Sequence, residues 1–227
     1  GALLPDAVGR QPVVAERADA LGDQIDGVVE DDTRIVAALP TLEWLSERVS
    51  VIAACSHLGK AKGKPDPTFS LAPVAPVLER LLGRPVVFVE DCLEADVKDR
   101  RPGTILLLEN LRFHPGETRG DEEFARQLAA LGDIYVDDAF SCAHRAHASV
   151  EAIAHLMPAY AGMAMMAEIN ALSAALEDPK RPVMAVVGGA KVSTKIEVLT
   201  NLDHLRELGI LTEEEFSQKK FDLLGKL

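Results

Sequence analysis

The chain has 227 residues, of which 48% are hydrophobic and 26% charged, and its formal net charge is -12. This length allows one sizeable hydrophobic core, and the acidic balance argues against nucleic acid or an anionic membrane as a partner. No run approaches the ~18 apolar residues of a membrane span, and the first residues do not resemble an export signal. The three cysteines lack a metal-type spacing, so we expect buried reduced thiols, no bound metal and a cytoplasmic protein.

Short apolar runs typical of buried strands alternate along the chain with longer segments of helical spacing. The predicted strands are 49–54, 85–89, 104–108, 133–136 and 183–187, and the predicted helices are 32–48, 73–82, 121–131 and 156–176. This alternation favours an α/β fold with a mostly parallel sheet between two layers of helices, which is a three-layer αβα arrangement. Ligands of such sheets bind at the carboxyl ends of the strands.

Two prolines in 177–182 indicate a boundary after the last long helix. One further strand–loop–helix unit follows, and the segment after it differs in character. There Thr212 and Glu215 have the spacing of a capping box, which predicts a short amphipathic helix. We therefore expect three parts: a main domain over 1–180, an isolated strand–loop–helix unit over 181–206 and a helical tail over 207–227.

Cationic and imidazole side chains recur just after the predicted strands. His57 and Lys60 follow the first strand, Arg112 follows the third and Arg145 follows the fourth, while Arg34 opens the first long helix. Taken singly, each is more often a solvated loop residue or half of a surface ion pair. Together at one edge of a parallel sheet they predict a basic patch for a small, multiply anionic ligand, because arginine suits phosphate and carboxylate.

A glycine turn, Gly188-Gly189, separates the last predicted strand from a helix. Backbone N–H groups at such a turn face a phosphate, and Lys191 and Lys195 are spaced to share one face of the helix. The pattern matches neither the P-loop nor the dinucleotide-binding motif. A tight turn without a ligand is therefore the alternative interpretation.

Five segments, taken together, resemble the phosphoglycerate kinase family. They are VVEDDTRIVAALPTLEWL, SHLGKAKGKPDPTFSLAPVAPVLERLLG, LLLENLRFHPGE, DDAFSCAHRAHAS and AVVGGAKVSTKIEVLTNL, and they occur in that family's order and approximate spacing over about residues 17–205. The resemblance implies two Rossmann-like domains joined by a hinge. The N-terminal domain would bind 3-phosphoglycerate and the C-terminal domain Mg-ATP or Mg-ADP, for reversible phosphoryl transfer in glycolysis.

The resemblance also implies roles for residues at the acceptor site. Asp19 would hydrogen-bond the substrate hydroxyl, and His57, Arg112 and Arg145 would hold its phosphate and carboxylate end. Lys60 stands where the family has arginine, so the charge remains but the bidentate fork does not.

The resemblance assigns transfer itself to Arg34 and Lys195. Arg34 would stabilise the phosphoryl group during transfer, and Lys195, with Lys191 and the turn at Gly188 and Gly189, would neutralise the nucleotide phosphates. These are positioning and electrostatic roles, which phosphoryl transfer chiefly requires.

Two departures from the family pattern bear on function. The family's R-[AV]-D-x-N-V-P motif corresponds to the segment that begins at Arg17, in which Leu21 replaces the substrate-binding asparagine. Loss of that contact costs ~1–3 kcal/mol of binding. After Leu205 nothing resembles the remainder of the nucleotide domain, so we expect most of the nucleotide site to be absent and a complementing nucleotide domain to be a partner.

The tail over 207–227 resembles the short helical module called SHOCT, which suggests self-association or docking. An ordinary terminal amphipathic helix is the alternative. For the whole chain three hypotheses stay open: a phosphoglycerate kinase or one part of it, an inactive fragment or pseudo-enzyme that acts in binding or assembly through its tail, and a gene fragment without a function.

Overall fold

The computed structural model describes residues 13–16, 23–25, 28–98, 101–176 and 179. The chain divides into two compact units, Gly1–Glu168 and Ile169–Leu227, and within the second the structure describes 169–176 and 179. The predicted strand at 183–187, the boundaries at 180 and 206 and the helical tail lie outside the described residues. The predicted division into three parts therefore stays a prediction.

A six-stranded sheet forms the centre of the first unit. In spatial order its strands are β5 (Val86–Val89), β6 (Thr104–Leu108), β4 (Val51–Cys55), β1 (Val13–Glu16), β7 (Ile134–Asp137) and β8 (Ala159–Ala161). Each pair of neighbours in this sheet is parallel. A separate antiparallel hairpin joins β2 (Asp23–Ile25) to β3 (Val28–Asp31).

Helices connect the strands of the large sheet. They are α1 (Thr33–Ser46), α2 (Val74–Leu82), α3 (Pro115–Arg119), α4 (Glu122–Ala129) and α5 (Met163–Leu176). Short 3-10 turns occur at Pro67–Phe69, Leu111–Phe113, Phe140–Cys142 and Ile153–His155, and a wider helical turn spans Ala148–Ala152. Among the described residues, none of these helices is long and apolar enough to cross a bilayer.

Alternate residues of β4 pack into two different apolar clusters, one on each face of the sheet. Ile52 and Ala54 pack in the cluster that contains side chains of α1 and α2, whereas Val51 and Ala53 pack in the cluster that contains side chains of α4. All of β4 is buried, as is typical of a parallel strand covered on both sides. The predicted three-layer α/β fold is confirmed.

The prediction of one long helix over 156–176 is wrong in its first part. Residues Ala159–Ala161 form β8, which pairs with β7, and α5 begins only at Met163. The carbonyl of Pro158 accepts a hydrogen bond from the Tyr135 amide at 2.9 Å. The Ala- and Met-rich composition favours a helix, but pairing with the open edge of β7 outweighs that local preference.

The start of α4 depends on one side chain. Asp121 is its N-cap residue, and its carboxylate accepts a hydrogen bond from the Phe124 amide at 2.9 Å. At the start of α1, Asp32 occupies the same position but makes no such hydrogen bond. The two aspartates thus form a matched pair that differs in the capping interaction.

We predict that Asp121→Ala lowers the free energy of unfolding by about 1 kcal/mol, because it leaves an amide of the first turn without its acceptor. Asp32→Ala is the control, with an expected change within about 0.5 kcal/mol. Urea denaturation followed by circular dichroism measures both values. Equal losses in the two variants would contradict the capping assignment.

Candidate functional site

Three loops leave the sheet at the same edge, because parallel strands all end on one side. His57 lies in the loop after β4, Arg112 in the loop after β6 and Arg145 in the loop after β7. In the sheet, β4 lies between β6 and β1, and β1 pairs with β7. The strand order therefore directs these side chains toward a common region beside the end of β1.

The electrostatic surroundings of His57 indicate that these side chains lie near one another. His57 is 5% exposed. Burial lowers the pKa of its imidazole to about 4, together with the positive charges of Arg112, Arg145 and His147, and the carboxylate of Glu117 opposes this shift. His57 is therefore neutral near pH 7, within a cluster that carries two guanidinium groups. We call His57, Arg112, Arg145 and His147 the cationic cluster.

The imidazole of His57 retains hydrogen-bonding capacity. Its Nδ1 atom is buried and has no hydrogen-bond partner among the described residues. A buried polar atom of this kind is costly unless it is paired, so it indicates a place for a ligand atom. The arrangement suits an anion that accepts hydrogen bonds from Arg112 and Arg145 and contacts the ring of His57.

A buried carboxylate, that of Glu117, offsets part of the positive charge of the cationic cluster. Glu117 in α3 is fully buried, and its two oxygens accept hydrogen bonds from the Ser149 amide at 3.1 Å and the Ser149 hydroxyl at 2.8 Å. Its Oε1 atom also lies 3.4 Å from Nδ1 of His147. Glu117 thus ties the loop that carries Arg145 and His147 to the helix that follows Arg112.

A second buried carboxylate holds the loop after β6. Glu109 accepts hydrogen bonds from the Ser70 hydroxyl at 2.6 Å, the Leu71 amide at 2.7 Å and the Asn110 amide at 2.8 Å. Three donors satisfy this buried charge, which would otherwise be strongly destabilising. The contacts connect the end of β6 to the residues that precede α2.

Asn110 extends this connection to the loop that carries His57. Its side-chain amide donates to the carbonyls of Leu58 and Phe69, both at 2.8 Å. The guanidinium of Arg112 donates to the carbonyl of Gly59 at 2.8 Å. Gly59 has a φ of 61°, and a side chain there would collide with the ring of Phe69. Hydrogen bonds from side chains to backbone carbonyls therefore hold the loops of His57 and Arg112 together.

Two of the predicted site residues lie outside this cluster of charges. Arg34 is exposed in the first turn of α1, and its charge contributes to the lowered pKa of Asp31, after the larger effect of hydrogen bonds from Thr33. Lys60 is exposed on the turn after His57 and is not among the charges that shift the pKa of His57. Asp19, Leu21, Gly188, Gly189, Lys191 and Lys195 lie outside the described residues, so their predicted roles stay predictions.

Sequence reasoning did not select two residues that the structure places at the site, His147 and Glu117. The sequence carried a weak signal for His147, because it lies two positions after Arg145. In extended backbone, which His147 adopts, side chains two positions apart tend to point to the same side. No sequence signal marked Glu117, since an acidic residue in a short helix is normally exposed.

The three cysteines, Cys55, Cys92 and Cys142, are buried and form no disulfide, as predicted. Burial, reinforced by the nearby negative charge of Asp91, raises the pKa of the Cys92 thiol. Cys92 is therefore a neutral thiol at physiological pH rather than a reactive thiolate.

A family model for phosphoglycerate kinase matches residues 13–209. The chain belongs to the phosphoglycerate kinase family. It is 51% identical over 203 residues to the phosphoglycerate kinase of Chelativorans sp., an alignment that covers 88% of this chain and 50% of that protein. Its identity to the phosphoglycerate kinase of Rhodospirillum centenum is 55% over 181 residues, which cover 78% of this chain and 46% of that protein. The chain therefore spans about half the length of the curated relatives it matches.

Solved phosphoglycerate kinases have the same fold over the matching part. The enzyme from Coxiella burnetii superposes with a TM-score of 0.76 at 39% identity, covering 87% of this chain and 50% of that one. The enzyme from Pyrococcus horikoshii superposes with a TM-score of 0.72 at 30% identity, covering 89% and 52%. Both the sequence and the structural comparisons thus match this chain to about half the length of phosphoglycerate kinases.

The pKa of His57 predicts how stability depends on pH. In the folded chain this pKa is about 4, below the 6.5 expected in the unfolded chain, so the unfolded state binds the proton more readily as pH falls. We expect His57→Gln to remove this contribution. Between about pH 7 and pH 4.5, the variant should lose about 2 kcal/mol less stability than the parent chain.

Urea denaturation at a series of pH values measures this difference. Titration of the remaining carboxylates occurs in both proteins and cancels in the comparison. Equal losses of stability in the two proteins would show that His57 is not held neutral by burial and by the neighbouring cations.

Proposed function

We propose that this chain binds 3-phosphoglycerate in the cationic cluster and contributes this acceptor site to phosphoglycerate kinase-type transfer. The observation that supports the proposal is the convergence of His57, Arg112, Arg145 and His147 from the loops after three parallel strands. Two guanidinium groups beside two imidazoles give this part of the chain a positive character, although the net charge of the whole chain is -12. Its chemistry suits a small molecule that carries both a phosphate and a carboxylate.

The proposed ligand suits the arrangement of donors. Arg112 and Arg145 each present a guanidinium, which binds phosphate or carboxylate through paired hydrogen bonds. His57 is neutral and presents a buried ring nitrogen, which in the tautomer protonated at Nδ1 donates a hydrogen bond to the anion. An anion placed among these groups also lowers the repulsion between the two arginines. We further propose that Asp19 hydrogen-bonds the substrate hydroxyl, as its sequence position implies.

In the proposed reaction, a carboxylate oxygen of 3-phosphoglycerate forms a bond to the γ-phosphorus of ATP. The bond from that phosphorus to the β–γ bridging oxygen breaks, and ADP leaves with the electron pair, so the products are 1,3-bisphosphoglycerate and ADP. The step is reversible and requires no nucleophilic side chain. The protein contributes positioning and electrostatic stabilisation.

Residues outside the cationic cluster complete the proposal. Arg34 would stabilise the phosphoryl group during transfer, and Lys60 would add positive charge near the acceptor. Mg-ATP or Mg-ADP is the second substrate, and Lys191 and Lys195, with the glycine turn before them, would contact its phosphates. Because the matched relatives are about twice as long, we propose that a complementing nucleotide domain is needed for turnover.

Proposals on assembly and compartment rest on sequence. The segment 207–227 would mediate self-association or docking, and the domain limits at 180 and 206 would separate it from the substrate site. That the three cysteines form no disulfide supports a reducing compartment, which we propose is the cytoplasm.

Calorimetric titration of the chain with 3-phosphoglycerate, at low ionic strength and without nucleotide, tests the acceptor site. We predict saturable binding that Arg145→Ala weakens by about 10- to 100-fold, because a hydrogen bond to a charged group contributes about 1.5–3 kcal/mol. Added salt should weaken the binding of the parent chain, since charges dominate the site.

Arg126→Ala is the matched control. Arg126 lies on the exposed face of α4, where it pairs with Glu122 and Glu123, so its loss should leave binding unchanged. Absence of binding by a chain with a cooperative unfolding transition would overturn the proposal. Equal weakening by the two arginine variants would reduce the effect to net charge and would also contradict a specific site.

A further inference from the structure

Three side chains of different chemistry, none of them part of the cationic cluster, meet at the ends of β5 and β6. Asp91, Cys92 and His114 each offer one ligand atom, a carboxylate oxygen, a sulfur and a ring nitrogen, and these atoms all lie within 4.8 Å of one another. Asp91 and Cys92 follow β5, and His114 follows the short turn after β6. Since β5 and β6 are paired in parallel, the two loops emerge side by side.

Two of the three side chains, His114 and Asp91, already make contacts that hold them in place. Nε2 of His114 lies 3.1 Å from Oδ1 of Asp91. The ring of His114 stacks on Phe124 with 5.2 Å between the ring centroids. The same oxygen of Asp91 also accepts a hydrogen bond from the Leu93 amide at 2.9 Å. A ring fixed by stacking and a carboxylate fixed by a backbone amide lose little freedom when they bind a common ion.

A cavity of about 100 Å³ opens between these side chains. Besides the three, its lining includes Glu90, Glu109 and Phe113. This space exceeds what a single water molecule requires and accommodates an ion together with bound water. The Cys92 side chain is 1% exposed and lines the cavity. Among the described residues it makes no hydrogen bond to another residue.

The electrostatic field at the cavity favours a cation. Three acidic side chains, Glu90, Asp91 and Glu109, line the cavity. Glu109 already accepts three hydrogen bonds, so we assign it a contribution of charge rather than of a ligand atom. A bound dication would neutralise this concentration of negative charge and release the thiol proton.

We propose that Asp91, Cys92 and His114 bind a Zn²⁺ ion, with water in the fourth position. Thiolate, imidazole and carboxylate are the three side-chain ligands that zinc takes in proteins. Bond lengths of about 2.0–2.3 Å in a tetrahedron place ligand atoms roughly 3.3–3.8 Å apart. The three ligand atoms already lie within 4.8 Å of one another, so small side-chain adjustments would bring them to this spacing. The proposed zinc ligands are different residues from those of the proposed phosphoglycerate site, and the proposal departs from the expectation that the chain binds no metal.

Titration of the full chain with Co²⁺, which replaces Zn²⁺ in such sites and is coloured, tests the proposal. We expect a thiolate-to-cobalt charge-transfer band in the near ultraviolet that saturates at one equivalent and disappears when Zn²⁺ is added. Cys92→Ser should abolish the band. Asp91→Asn and His114→Gln should keep the thiol but weaken cobalt binding by at least about tenfold.

Two matched controls separate this site from adventitious binding. Cys142→Ser removes another buried thiol, and His155→Gln removes an exposed histidine whose Nε2 lies 3.1 Å from Glu151, the same spacing as in the His114–Asp91 pair. Both variants should retain the band and the affinity of the parent chain. Should Cys92→Ser fail to fold, Asp91→Asn and His114→Gln carry the test. Absence of the band, its survival in Cys92→Ser, or unchanged affinity in both remaining ligand variants would overturn the proposal.

Discussion

The parallel pairing of β4 with β1 on one side and β6 on the other is the constraint on which the described part of the molecule depends. It requires that β4 be buried on both faces, which the helices on either side of the sheet achieve. It also sends the loops after β4 and β6 to one edge, where they exchange hydrogen bonds directly. The Leu111 amide donates to the carbonyl of Ser56 at 3.1 Å, and the Gly63 amide donates to the carbonyl of Arg112 at 3.0 Å.

Two buried carboxylates hold the loops at that shared edge in fixed positions. Glu109 fixes the loop after β6, and Glu117 fixes the loop after β7. A buried charge is destabilising unless hydrogen bonds satisfy it, and at Glu117 the amide and the hydroxyl of Ser149 supply them. The negative charges of Glu109 and Glu117 also limit the repulsion among the cations of the site. An acidic chain can in this way maintain a local region suited to an anion.

The strands that the sequence predicted are those whose buried apolar residues form a continuous run along the chain. The strand at 104–108 has the predicted bounds, and β4 and β5 differ from prediction by one or two residues at their ends. The short strand β1 and the hairpin of β2 and β3 were not predicted, because a run of three or four residues carries too little periodicity. β8 was assigned to a helix, because its partner β7 is distant in sequence and invisible to local propensity.

The same distinction applies to the sites. His57, Arg112 and Arg145 were found because position after a strand in a parallel sheet is a readable signal. Glu117 was missed because its role arises from packing against Ser149, a residue far along the chain. Cys92 and His114 lack the close spacing of familiar metal motifs, and only the pairing of β5 with β6 brings them together. Contacts made across the sheet are thus the part that a single sequence does not reveal.

A crystal structure of the chain with 3-phosphoglycerate tests the central claim most directly, namely that the loops after three parallel strands form one anion site. The account predicts that the ligand's anionic groups lie within hydrogen-bonding distance of Arg112 and Arg145, next to the buried ring nitrogen of His57. A ligand bound elsewhere on the chain, or density for the ligand without contact to either arginine, would contradict it.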